Sequence, residues 1–231
     1  MNVYDHVIKK TWDLLKNHDY QELKLNTEIN WKCLTNNEFL MDRDIAFELG
    51  DRDKPCTVYN AQTSDASMIS NDRILLLGKN LNEIDENTNF SRITLFNVDE
   101  VADANKAYIG IKRLEYERFK MIPEGYMILS SSLANKENIR VSKKAVEQGI
   151  SFEIIGNLYL NHYKKLEGVN HVWVIFLVGD YPFMGDLVDL SKEVDEITNA
   201  YDHILKNVIL DCEVCPLKPI CEDVEALREL H

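Results

Sequence analysis

Residues 171–180 read HVWVIFLVGD and carry the strongest strand signal in the chain. Seven consecutive apolar residues run from Val172 to Val178. A short, unbroken apolar run is typical of a strand that is covered on both of its faces. We therefore predict a buried strand here, with other elements packed against each face.

Patterns on either side of this strand predict further elements. Alternating or short apolar runs predict strands in RDIAFELGD (43–51), CTVYNAQT (56–63) and DRILLLGKNL (72–81). AYIGIKRLEY (107–116) also has strand character, and we expect it to pass into a helix at EYERFK (115–120). The polar stretch NEIDENTN (82–89) predicts an exposed loop. Helical spacing of apolar residues predicts helices within residues 3–17, 141–149, 153–168 and 189–209.

Strands and helices follow one another without a strict strand–helix–strand rhythm, which favours an α+β fold. We expect a mixed or largely antiparallel sheet flanked by helices. Residues 1–37 should form an N-terminal helix and a connection, residues 38–210 the α+β domain, and residues 211–231 a cysteine-containing segment with a short helix. Gly156 lies inside a predicted helix, where glycine costs about 1 kcal/mol relative to alanine. It therefore predicts a close packing contact or a bend.

Composition limits the classes of partner. The chain has 231 residues, 45% of them hydrophobic, and a formal net charge of −13. An acidic protein without a clustered basic patch repels a phosphate backbone, so nucleic acid is a poor partner. The N-terminal sequence has no long apolar run, and no segment is long and apolar enough to span a bilayer. We expect a cytoplasmic protein without membrane contact whose five cysteines are reduced.

Three cysteines stand close together in DCEVCPLKPICEDVEALRELH (211–231), with the spacing C-x2-C-x5-C. A turn between Cys212 and Cys215 would bring both thiols to one ion, which is why C-x2-C recurs in zinc and iron–sulfur sites. Cys221 begins a predicted helix, where free N–H groups favour a thiolate. The spacing therefore suggests a metal site with these three cysteines as ligands.

A fourth ligand is not evident from the spacing. An intact helix would place His231 roughly 15 Å from Cys221, too far to share one ion. Cys33 and Cys56 are distant in sequence but could fold back to supply it, and a cluster with one open position or a ligand from a partner is also open. Two other readings remain open: ordinary buried thiols, and a dithiol switch formed by Cys212 and Cys215.

Several segments together carry a resemblance to a known family. RDIAFELGD (43–51), DRILLLGKNLNEID (72–85) and IRVSKKAVEQGISFEIIGNLYLNHYKKLEGV (139–169), followed by HVWVIFLVGD, resemble the middle domain of acetyl-CoA synthase. That enzyme is the beta subunit of the CO dehydrogenase/acetyl-CoA synthase complex. The resemblance covers roughly residues 42–205 and rests on the order and spacing of the elements. It implies the same α+β middle-domain fold for this chain.

The resemblance also implies roles for the cysteines. In the family, four cysteines hold a [4Fe–4S] cluster and a later Cys-Gly-Cys chelates nickel. Cys212, Cys215 and Cys221 are similar to the first three cluster cysteines, although the gap before Cys221 is shorter. No Cys-Gly-Cys occurs in this sequence, so the nickel chelate cannot be built from this chain alone. Complete acetyl-CoA synthase catalysis is therefore not expected.

Arg140 matches a family arginine associated with the coenzyme A site, which implies a phosphate clamp there. The neighbouring family tryptophan is Asn138 here, and a surface arginine before a helix is the alternative. Two functions follow as hypotheses. One is an accessory protein of anaerobic one-carbon metabolism that binds an iron–sulfur cluster or zinc. The other is a non-catalytic interaction module that binds CO dehydrogenase/acetyl-CoA synthase or a corrinoid protein subunit.

Overall fold

The structure, a computed structural model, describes residues 3–36, 39–50, 54, 56–101, 103–131 and 136–205. Within these residues the chain forms five α-helices and ten β-strands. The helices are α1 (Asp5–Leu15), α2 (Ala104–Glu117), α3 (Lys143–Glu147), α4 (Phe152–Tyr163) and α5 (Met184–Leu205). The strands are β1 (Gln21–Glu22), β2 (Cys33–Leu34), β3 (Ile45–Leu49), β4 (Cys56–Thr63), β5 (Arg73–Gly78), β6 (Phe90–Val98), β7 (Ile122–Pro123), β8 (Tyr126–Ser131), β9 (Lys136–Ser142) and β10 (Val169–Val178).

The predicted buried strand is the middle strand of the main sheet. Five strands lie in the order β1-β5-β10-β6-β4. β10 pairs in parallel with β5 and antiparallel with β6, and β4 pairs in parallel with β6. The sheet is therefore mixed and is flanked by helices. This confirms the α+β fold predicted from the sequence.

Each face of β10 packs into its own hydrophobic cluster. Val172, Val174 and Phe176 join the cluster that contains α4, whereas Trp173 and Ile175 join the cluster that contains α1 and α5. This arrangement explains the unbroken apolar run, because neither face of the strand meets solvent.

A second, three-stranded antiparallel sheet lies beside the first, in the order β3-β9-β8. Its middle strand, β9, contacts the edge strand β4 of the main sheet. β2 and β7 form a further short pair. α3 follows β9 directly, and the Ser142 hydroxyl caps it by accepting a hydrogen bond from the backbone N–H of Ala145.

The strand predicted in residues 107–116 is wrong, because these residues belong to helix α2. The Asp103 side chain accepts hydrogen bonds from the N–H groups of Asn105 and Lys106 and so begins the helix. Ile111 and Leu114, three residues apart, are buried, while Ile109 is exposed. This is the spacing of a helix face, and packing against α5 and β4 selects the helix over the strand.

The sequence patterns missed strands β6, β8 and β9. β6 holds four buried polar residues, which interrupt any simple apolar run: Ser91, Arg92, Thr94 and Asn97. The loop over residues 82–89 is present but is not fully exposed, because Ile84 and Asn89 are buried. Pairing with β10 on one side and β4 on the other holds these polar residues in a strand.

Candidate functional site

Arg140 lies on β9 with its side chain on the outer side of the three-stranded sheet. Its neighbours along the strand, Ile139 and Val141, point into the core and are fully buried. The Arg140 Nε donates a hydrogen bond of 2.7 Å to Glu48 on β3, and its Nη1 lies 3.6 Å from an Asp42 carboxylate oxygen. The arginine is thus an ordered, 25% exposed cation that two carboxylates already face.

This geometry bears on the predicted phosphate clamp. Glu48 and Asp42 present negative charge to the same guanidinium that a phosphate would need. Glu48 occupies the Nε donor, so a bound phosphate would have to use the Nη donors beside these two carboxylates. The role of Arg140 in coenzyme A binding stays a prediction.

Cys212, Cys215 and Cys221 lie outside the described residues, so their assignment as metal ligands also stays a prediction. The two remaining cysteines differ in access. Cys56 is buried, and its thiol donates a 2.7 Å hydrogen bond to the backbone carbonyl of Glu137. Cys33 is exposed on β2. Within the part of the chain that the structure describes, no three His, Cys, Asp or Glu side chains come together as metal ligands.

A buried ion pair joins the two sheets. The Arg92 Nε and Nη2 on β6 donate hydrogen bonds of 3.0 and 2.6 Å to the two carboxylate oxygens of Glu137 on β9. The side chains are 0% and 1% exposed. Arg92 also donates to the Thr94 hydroxyl, and its guanidinium lies 4.7 Å from the ring centre of Tyr159 on α4. The guanidinium is therefore paired, hydrogen-bonded and stacked without any contact with water.

Burial and the neighbouring charge act in opposite directions on the pKa of Arg92. Burial, the largest single influence, acts to lower the pKa of Arg92, but the charge of Glu137, the facing Tyr159 and Tyr163, and the hydrogen bonds to Glu137 together hold that pKa above its ordinary value. Arg118, in the 3₁₀ turn after α2, lies 3.7 Å from the same carboxylate. Two guanidiniums therefore share one buried carboxylate.

Three buried tyrosines, Tyr126, Tyr159 and Tyr163, lie near the Arg92–Glu137 pair. Burial raises the pKa of Tyr126 and Tyr159, and it raises the pKa of Tyr163 to about 12. These phenols are neutral at physiological pH. The hydroxyls of Tyr126 and Tyr159 have no hydrogen-bond partner among the described residues. The cluster therefore forms a buried, charged junction between the two sheets.

A second set of charges fixes the end of α2 to α4. Glu117 is buried, and its carboxylate oxygens lie 2.6 Å from the His162 Nε2 and 2.7 Å from the Lys120 Nζ. Burial acts to raise the pKa of Glu117, but Lys120 and His162 outweigh it and lower that pKa. His162 therefore holds α4 to the end of α2 through this contact.

The outward side of α2 and of the following 3₁₀ turn is both apolar and basic. Ile109 and Tyr116 are each 63% exposed and Phe119 is 44% exposed. Lysines and an arginine lie between them on the same side of the helix. We call this surface the α2 face and define it by Ile109, Lys112, Arg113, Tyr116, Phe119 and Lys120.

Fold and site together define an α+β protein with two sheets joined by a buried Arg–Glu pair. Of its helices in the described residues, none combines the length and apolar character needed to cross a bilayer. The model of one family, described as CO dehydrogenase/acetyl-CoA synthase complex beta subunit, matches residues 29–179. This match spans more than half of the chain, so the chain belongs to that family. A comparison with curated proteins gives no match.

The matched region runs from just before β2 to the end of β10. It contains Arg92, Glu137 and Arg140, together with the whole of α2. Helix α5 and the three clustered cysteines follow it. The resemblance predicted from the sequence is confirmed. Sequence reasoning missed Arg92 and Glu137, and a charged residue within the strand-like run FSRITLFNV was the signal that could have found Arg92.

Proposed function

We propose that this chain is an accessory protein of anaerobic one-carbon metabolism that binds a metal ion or an iron–sulfur cluster. Cys212, Cys215 and Cys221 are its ligands. The observation that carries the proposal is the C-x2-C-x5-C spacing in a chain that belongs to this family. Thiolates three residues apart suit either zinc or an iron–sulfur cluster. Acetyl-CoA synthesis is not part of the proposal, because the sequence holds no Cys-Gly-Cys.

Cys33 is the better candidate for a fourth ligand among the two remaining cysteines. Cys56 is enclosed in the core and its thiol is already hydrogen-bonded. Cys33 is exposed, so its thiol is accessible to an ion.

Metal analysis tests this proposal directly. We expect protein purified without oxygen to contain stoichiometric iron or zinc, with a visible charge-transfer band if the metal is iron. Cys215→Ala should remove most of the metal, because the site then lacks one of its thiolate ligands. Cys56→Ala is the matched control and should leave the metal content unchanged. Colourless wild-type protein without bound iron, nickel or zinc would contradict the proposal.

The alternative is a non-catalytic interaction module on the same scaffold, with cysteines that are only structural. The α2 face favours it, because three large apolar side chains are exposed on one side of one helix. Its partner would be CO dehydrogenase/acetyl-CoA synthase or a corrinoid protein subunit. Under this alternative, Cys215→Ala leaves partner binding unchanged and no variant carries metal.

Coenzyme A binding at Arg140 is a separate proposal with its own test. If Arg140 clamps a phosphate, calorimetry should show coenzyme A binding that weakens about tenfold or more in Arg140→Gln, since a charge-assisted contact is worth roughly 1.5–3 kcal/mol. Lys144→Gln, an exposed lysine on the following helix, is the control. If wild type and Arg140→Gln bind coenzyme A equally well, Arg140 is not part of a coenzyme A site.

A further inference from the structure

The α2 face differs from the rest of the chain in charge. Residues 104–120 contain five basic and two acidic side chains, in a protein with 26 basic and 39 acidic residues. Glu117 is buried and lies 2.7 Å from the Lys120 Nζ, and Glu115 forms a 2.9 Å ion pair with Lys112, so three of the five cations are not balanced within this segment. Arg113 is exposed and has no carboxylate partner among the described residues. The α2 face therefore carries a net positive charge, although the protein as a whole is acidic.

The apolar side chains of the α2 face are spaced as anchors. Ile109 and Tyr116 are two helical turns apart, about 10 Å along the axis. The Tyr116 ring lies 6.4 Å from the Phe119 ring in an edge-to-face arrangement, and the Lys120 Nζ lies 5.4 Å from the Tyr116 ring centre. Exposed tyrosine, phenylalanine and arginine side chains are the types enriched at protein interfaces.

We propose that the α2 face is the docking site for an acidic, amphipathic segment of a partner protein. Apolar side chains of that segment contact Ile109, Tyr116 and Phe119, and its carboxylates pair with Lys112, Arg113 and Lys120. This inference deepens the interaction-module alternative and rests on it. The C-terminal end of α2 is fixed in place, which supports this role, because Glu117 pairs with His162 on α4 and Arg118 lies 3.7 Å from Glu137 on β9.

Two other occupants fit the charges less well. A second copy bound by two-fold symmetry would place this cationic face against itself, which like charges oppose. Nucleic acid would meet a chain with a net charge of −13 and an exposed isoleucine among the basic residues. An acidic peptide segment satisfies both the cations and the apolar anchors.

The first test selects binders from a phage-displayed random peptide library against the full chain. We expect selected peptides rich in Asp, Glu and apolar residues. Their affinity should fall about tenfold or more in Tyr116→Ser/Phe119→Ser and in Lys112→Glu/Arg113→Glu, because anchor side chains each contribute more than about 1 kcal/mol. Binding should also weaken as salt screens the charges.

Matched variants control for net charge and for exposed aromatic area. Lys144→Glu/Lys165→Glu makes the same charge change at two exposed lysines elsewhere, and Phe39→Ser removes an aromatic ring that is 75% exposed. Both controls should bind the selected peptides as wild type does. Peptides that are basic, or that bind the α2-face variants and the controls equally, would overturn the inference. So would DNA binding or self-association that the α2-face variants abolish.

A second arm separates this inference from the function on which it rests. The purified CO dehydrogenase/acetyl-CoA synthase complex is immobilised and probed with the same variants. Binding that the α2-face variants abolish supports both proposals. Binding that they leave intact keeps the interaction module and overturns the α2 face as its docking site. If the complex does not bind but acidic peptides bind through the α2 face, the docking site stands and this partner is wrong.

Discussion

Replacing Glu137 by glutamine should destabilise the fold by about 3–5 kcal/mol, because it leaves the fully buried Arg92 guanidinium without a counter-charge. Burial forbids hydration of that cation, and the uncharged amide cannot balance it. Arg118 adds to the cost, since its guanidinium also faces the Glu137 carboxylate. Chemical denaturation followed by circular dichroism measures the change in the free energy of unfolding.

Glu48→Gln is the matched control for this prediction. Glu48 accepts a 2.7 Å hydrogen bond from Arg140, and it also lies on a strand of the second sheet. Arg140 is 25% exposed, however, so water can solvate it when the partner is lost. We expect a loss of only about 0–1 kcal/mol. Equal losses in the two variants would show that burial of the Arg92 pair is not what makes it costly to break.

A double variant separates the value of the pair from the cost of breaking it. Arg92→Met/Glu137→Leu removes both charges and keeps most of the side-chain volume. Such replacements of buried pairs are often neutral or stabilising. We expect the double variant to be more stable than Glu137→Gln, even though it gives up the contact between Arg92 and the Tyr159 ring. A double variant less stable than the single one would contradict this account.

The sequence predicted the elements whose burial pattern is local. Strand β10 has an unbroken apolar run, and α5 repeats its apolar residues at helical spacing, so each could be recognised without its partners. Strand β6 could not, because its Arg92 is tolerated inside only through Glu137, 45 residues away. The nature of α2 was likewise decided by packing against α5 and β4. Non-local partners, rather than weak propensities, account for these errors.

The same distinction separates the candidate sites. The cysteine spacing is a local pattern, so the sequence alone suggests a metal ligand set at residues 212–221. The Arg92–Glu137 pair and the α2 face arise from the fold, and no spacing rule points to either. Arg140 lies between these cases. Its match to a family arginine is a sequence property, whereas its contacts with Glu48 and Asp42 came only from the strand pairing.

Gly156→Ala should destabilise the protein by about 1–3 kcal/mol, although alanine is the better helix former. An added Cβ would lie 2.5 Å from the Ile74 Cγ2 on β5 and 3.2 Å from the Phe176 ring on β10. The Ile74 methyl sits on a β-branched side chain in the sheet interior and cannot move aside cheaply. Thermal or denaturant unfolding measures the loss, which reports how closely α4 approaches the sheet.

Gly110→Ala makes the same substitution inside another helix, but it should stabilise the protein instead of destabilising it. Gly110 also lies inside a helix, α2, but an added Cβ there would meet nothing within 4 Å. Helix propensity alone then acts, and we expect a gain of up to about 1 kcal/mol. Combining Gly156→Ala with Ile74→Ala should cost less than the two single losses added together, because the second change removes the methyl that the first one meets. Additive losses would mean that α4 shifts as a whole, and that the close approach at Gly156 does not set its position on the sheet.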